Sequence, residues 1–81
     1  MRIIIKFSGL FFNSAGVDQD VVEVPEAGTV EGVIDILSLK YGKLPFRDKK
    51  TYYMVNEKLS NRDRVLKDGD QVRIFQMMAG G

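Results

Sequence analysis

Eighty-one residues, 44% of them hydrophobic and 28% charged, with a net charge of +1, make one soluble domain with no dominant pull toward nucleic acid or membrane. The sequence holds no Cys and no His, which excludes disulfides, thiolate and imidazole metal sites, a Cys nucleophile and a His general base. A domain of this size also leaves little room for a deep catalytic cavity. Charge is uneven, with two basic and six acidic residues over 1–39 against ten basic and five acidic over 40–81. Either one face favours an acidic partner or the surface is simply mixed and solvated.

Residues 2–7 are β-branched and alternate, with Ile3, Ile5 and Phe7 on one face and Arg2, Ile4 and Lys6 on the other. They predict a strand with one face in the core. Lys6 interrupts the apolar run too early for a signal-peptide core or a membrane span, so a cytoplasmic location is expected. Ser8 and Gly9 break the strand. Leu10-Phe11-Phe12 then read as core or loop-anchoring residues before a turn-rich Asn13-Ser14-Ala15-Gly16. A second strand near Asp20 to Val24 pairs back as a hairpin, and Pro25 and Gly28 end it.

Thr29 is the expected N-cap of a helix whose stripe is Val30, Val33, Ile34, Leu37 and Tyr41, with Gly42 at C′. Gly32 inside that helix costs about 1 kcal/mol against alanine, which close packing on a sheet would explain. A basic loop from Lys43 to Lys50 follows. Its run Phe46-Arg47-Asp48-Lys49-Lys50-Thr51-Tyr52-Tyr53 interleaves aromatic and basic residues but lacks an RNA-binding pattern, so no nucleic-acid partner is expected. Thr51 to Val55 predicts a third strand. Asn56 suits a left-handed turn, a short segment follows around Leu59, and Asn61 to Val65 are irregular. Lys67-Asp68-Gly69-Asp70 is a tight turn launching the last strand, Gln71 to Gln76, with Val72 and Ile74 on one side and Gln71, Arg73 and Phe75 on the other.

Hairpin, helix and returning strands predict an α+β fold of β-grasp type, a mixed sheet of four to five strands on one main helix. Its first and last strands lie parallel because the connection crosses over through the helix. The expected division is a domain over 1–76 and a tail over 77–81.

The β-grasp order, the run Val55-Asn56-Glu57-Lys58-Leu59, the Lys67-Asp68-Gly69-Asp70 turn and the ending Phe75-Gln76-Met77-Met78-Ala79-Gly80-Gly81 together resemble the MoaD/ThiS family of ubiquitin-like sulfur carriers. The resemblance spans essentially the whole chain. Length, the segment between the first two strands, and Val24-Pro25-Glu26-Ala27-Gly28-Thr29-Val30 look like the small subunit of molybdopterin synthase. Asp68-Gly69-Asp70-Gln71 and the chain's ending look like the thiazole sulfur carrier of thiamine biosynthesis. The molybdopterin-type branch is favoured.

The resemblance implies that a ubiquitin-activating-type adenylyltransferase, using its own ATP and Mg²⁺, adenylates the Gly81 carboxylate. A sulfur donor then displaces AMP to leave a thiocarboxylate, and a synthase subunit accepts the tail. This chain would be a carrier, a monomer when free, with no catalytic residue and no bound cofactor or metal. Gly80 and Gly81 suit a narrow channel because they lack a Cβ, and Met77, Met78, Ala79, Gly80 and Gly81 span roughly 16–18 Å when extended. In the family the positions of Phe75 and Leu59 dock both partners. Ile4 shares that predicted outer face, and Ser8 falls where the family often has an exposed aromatic. Arg73, with Arg62, Arg64 and Lys67, would steer an acidic partner. The alternatives are a frayed Gly-Gly terminus, a Phe75 at the core edge, a modifier joined to lysines through Gly81, and a plain β-grasp interaction domain.

Overall fold

The alternation at the start of the chain produces β1 (Arg2–Phe7), with Ile3, Ile5 and Phe7 buried and Arg2, Ile4 and Lys6 on the opposite face. The computed structural model describes residues 1–77. Beyond β1 the order is α1 (Leu10–Ala15), β2 (Gln19–Glu23), α2 (Val30–Lys40), β3 (Thr51–Val55), β4 (Lys58–Ser60) and β5 (Gln71–Gln76). The five strands form one mixed sheet in the order β2-β1-β5-β3-β4. β1 and β5 are parallel neighbours at its centre and the other pairs are antiparallel. This is the predicted β-grasp arrangement, with five strands.

One face of the sheet and the apolar stripe of α2 make the core. Val30, Val33, Ile34 and Leu37 are buried against Ile3, Ile5, Val72, Ile74, Tyr53 and Val55, and Tyr41 is half-buried at the cluster's edge. Thr29 caps α2 as expected, its Oγ1 accepting from the Gly32 N–H at 3.2 Å. Glu31 in the first turn and Lys40 in the last complement the helix dipole.

The packing explanation for Gly32 fails. A Cβ there would meet nothing nearer than Thr29 Oγ1 at 3.9 Å, because the glycine lies on the flank of α2 away from the sheet. Gly32→Ala is therefore expected to stabilise the protein by about 0.5–1 kcal/mol, read as a higher urea midpoint at unchanged m-value. Gly42 does follow the Tyr41 cap, but it lacks the left-handed backbone that the C′ reading implied, and Tyr41 itself has φ −123°.

The main departure is α1. Residues 10–15, expected as a loop and turn, form a short helix between two left-handed glycines, Gly9 at φ 58° and Gly16 at φ 78°. Six residues are too few to show a periodic stripe. Only Phe11 is fully buried in α1, stacked on Phe46 with ring centroids 5.4 Å apart, whereas Leu10 and Phe12 stay about half exposed. Phe46 and Tyr53 are therefore core residues, and the Tyr53 hydroxyl donates to the Phe46 carbonyl. Burial pushes the Tyr53 hydroxyl up to about 12, against the opposing pull of Arg62 and Arg47. The aromatic and basic run over 46–53 is thus not a continuous surface stripe.

Two turns match their sequence signals. Asn56 and Glu57 have φ of 51° and 67°, closing the β3–β4 hairpin. Gly69 has φ 85° in a turn whose Asp70 carboxylate accepts from the Lys67 N–H at 2.8 Å. The second strand begins one residue earlier than expected, although Val24 still donates to the Met1 carbonyl.

Candidate docking face and tail exit

Because α2 covers one face of the sheet, the residues alternating with the core ones are displayed on the other. In β5 these are Gln71, Arg73 and Phe75, so Phe75 lies on the outer face and not in the core, as the alternation predicted. The register sets its neighbours. Tyr52 is directly opposite Phe75, and the two rings stack with centroids 6.0 Å apart and planes 28° apart. Arg73 lies between Lys6 of β1 and Met54 of β3, and Met54 faces Leu59 of β4. Ile4 is flanked by Gln71 and Val21. Phe75, Leu59, Ile4 and Arg73, drawn from three strands, thus occupy one face.

Arg73 is held there by two contacts. Its Nη1 donates to Ser8 Oγ at 2.8 Å and its Nε donates to Glu57 Oε1 at 3.2 Å. The guanidinium is thereby laid across the sheet with about a third of the side chain exposed. Ser8 supplies an acceptor for that cation. Arg62 lies outside this face, 4.0 Å from Glu31 at the start of α2.

Leu59 at 59% exposure and Tyr52 at 39% are accessible large apolar groups on the strands of this face, with Val21 beside Ile4 close behind. Tyr52, Met54 and Val21 were not among the sequence candidates. The alternation of Thr51, Tyr53 and Val55 inward in β3 is the signal that would have found Tyr52 and Met54. Apolar side chains of this size around a fixed cation form the kind of surface that proteins bury on association.

Strand β5 leads directly to the predicted tail. Met77 is half exposed and its N–H donates to the Lys50 carbonyl at 3.1 Å, continuing the β5–β3 pairing for one residue. Met78, Ala79, Gly80 and Gly81 lie outside the described residues. The parallel pairing of β1 and β5 puts the exit at the Ser8 end of the sheet, beside Phe75 and Tyr52. Among the described residues no group of three or more Asp or Glu side chains is placed to hold a metal, and no helix is long and apolar enough to cross a membrane.

A five-stranded mixed sheet on one main helix, with its last strand central and running out to the tail, defines the class of ubiquitin-like β-grasp proteins. Solved structures bear this out over the full chain. SAMP1 from Haloferax volcanii superposes with a TM-score of 0.89 at 19% identity, covering 100% of both chains. A Pyrococcus furiosus protein described as molybdopterin converting factor, subunit 1, gives 0.84 at 26% identity, over 96% of this chain and 99% of that one. The complex of subunits 1 and 2 of molybdopterin-converting factor from Helicobacter pylori gives 0.71 at 22% identity, with 100% of both chains covered. No curated protein sequence matches the chain. The model described as "ThiS family" matches residues 5–81, and the chain belongs to the ThiS family. Its members are small carrier proteins and not themselves catalysts.

Proposed function

We propose that this chain is a sulfur carrier whose Gly81 carboxylate is activated and converted to a thiocarboxylate for cofactor biosynthesis. The observation that carries the reading is continuity. The outer face holding Tyr52, Phe75, Arg73 and Leu59 adjoins the end of β5, and the family match extends through Gly80 and Gly81. A partner gripping that face would have the Gly-Gly segment within reach.

A carboxylate is a poor electrophile because its charge is delocalised and oxide is a very poor leaving group. In the proposed sequence a ubiquitin-activating-type adenylyltransferase binds ATP with Mg²⁺. A Gly81 carboxylate oxygen attacks the α-phosphate and pyrophosphate leaves. Sulfide-level sulfur (HS⁻) delivered by a donor then attacks the acyl carbon, the bond from that carbon to the phosphate oxygen breaks, AMP leaves, and loss of the S–H proton gives the thiocarboxylate. The synthase subunit accepts the tail and transfers the sulfur into a biosynthetic intermediate, and hydrolysis returns the acyl group to the Gly81 carboxylate. Phe75, Leu59, Ile4 and Arg73 of this chain, with Tyr52, provide the docking surface, and Met77, Met78, Ala79 and Gly80 thread the tail. ATP and Mg²⁺ belong to the partner, and the carrier is free and monomeric between encounters.

The molybdopterin-type branch is favoured by the 26% identity to the Pyrococcus furiosus subunit, with the thiamine thiazole type next. A second reading, a modifier joined to lysines through Gly81, draws on the likeness to SAMP1. Intact-mass analysis of the protein from its own cells separates them. The carrier reading expects a species heavier by the difference between sulfur and oxygen, localised to the C-terminal peptide and lost when Gly80 and Gly81 are deleted. Gly-Gly remnants on lysines of other proteins, without that species, would establish the modifier. Neither product in the presence of the activating enzyme and ATP would leave a plain interaction domain.

A further inference from the structure

The sheet order leaves two edges, the three-residue β4 and the five-residue β2. An edge strand presents unpaired backbone groups that invite another strand. Along β2 the inward pairing is fixed by the Phe7 N–H donating to Asp18 O and the Val24 N–H donating to Met1 O, while the Ile4 N–H turns to Asp70 of the β5 side. Ile4 and Val21 are accordingly a pair without mutual hydrogen bonds, so the backbone N–H of Val21, like those of Gln19 and Glu23, points out of the sheet. Val21 is at the middle of the strand. An antiparallel approach by a second copy, centred there, would set Val21 against Val21 and Gln19 against Glu23, with no like charges opposed.

That central donor is already taken. The Val21 N–H donates to Oδ1 of Asp20 at 2.7 Å, while Oδ2 of the same carboxylate accepts from Lys40 Nζ at 2.7 Å and from the Tyr41 hydroxyl at 2.6 Å. The carboxylate is 17% exposed and anchored by the last turn of α2, so it cannot swing away without losing three charge-assisted bonds at once. Partial burial pushes this carboxyl up, but the hydrogen bonds from Lys40, Tyr41 and Val21 together outweigh it and hold it below its ordinary 3.8.

We infer that Asp20 closes the β2 edge against pairing with a second copy of this chain, Lys40 of α2 and the C-cap Tyr41 serving to lock its carboxylate over the Val21 N–H. The device is independent of the carrier reading, and its test uses no partner enzyme.

Amide exchange by NMR on the wild-type protein reads the lock directly. The hydrogen bond to a carboxylate predicts a Val21 amide protected about tenfold or more relative to those of Gln19 and Glu23, after correction for intrinsic rates. Equal rates would overturn the inference. Asp20→Ala should convert the monomer into a concentration-dependent dimer in sedimentation equilibrium, and Asp20→Ala with Val21→Pro, which removes the N–H, should restore the monomer. A folded Asp20→Ala protein that stays monomeric at millimolar concentration overturns it, as does a double variant that still dimerises. Should Asp20→Ala fail to fold, the wild-type exchange rates decide.

Discussion

Phe11→Ala is expected to remove about 3–5 kcal/mol of stability, against a total of about 4–12 kcal/mol for a domain of this length. Phe11 is fully buried and stacked on Phe46, which joins α1 to the loop between α2 and β3. Truncation leaves a cavity where the two segments meet. The wall is made by Phe46 and the buried core beneath it, which limits collapse. Phe12→Ala, one residue along and 47% exposed, should cost less than about 1 kcal/mol. Urea unfolding of the two variants measures the contrast. Equal and small losses would mean that α1 does not hold to the core through Phe11.

The second large effect is expected in binding. Phe75→Ala and Tyr52→Ala should each weaken association with the activating enzyme by about 2 kcal/mol, roughly thirtyfold, because the stacked pair is a rigid aromatic unit at the tail exit. The loss of folding stability should be nearer about 1 kcal/mol, the worth of an exposed aromatic pair plus some area. Leu59→Ala should weaken binding in the same direction. Leu39 provides the control. It is 90% exposed on α2, on the opposite side of the sheet, and Leu39→Ala should leave affinity unchanged. Titration calorimetry with folded variants gives the answer, and indistinguishable affinities for Phe75→Ala and Leu39→Ala would remove the outer face from the docking reading.

Most of the fold was legible because its signals are local. Alternation in residues 2–7 and 71–76 and the stripe Val30, Val33, Ile34, Leu37 fixed which side of each element is buried, since burial on one face imposes the period. Asn56 and Gly69 marked turns by their backbone needs. α1 was not legible, because six residues between glycines carry no period and only Phe11 reaches the core. Gly32 misled for the opposite reason: its composition invited a packing explanation, and only the open space around it shows that none applies.

The candidate face divides in the same way. That Phe75, Arg73 and Ile4 point away from the core follows from their own strands. That Phe75 stacks on Tyr52, that Arg73 is pinned by Ser8 and Glu57, and that Asp20 is gripped by Lys40 and Tyr41 do not. Those partners come from strands and helices distant in sequence and brought together only by the order β2-β1-β5-β3-β4. The sequence by itself determined every element but α1, their buried sides, the β-grasp order and the absence of Cys and His chemistry, because each depends on residue type and short-range spacing. The tertiary structure alone decided which side chains are neighbours on the outer face and how they are held, because lateral neighbours in a sheet are set by register across long loops, and no local pattern encodes that.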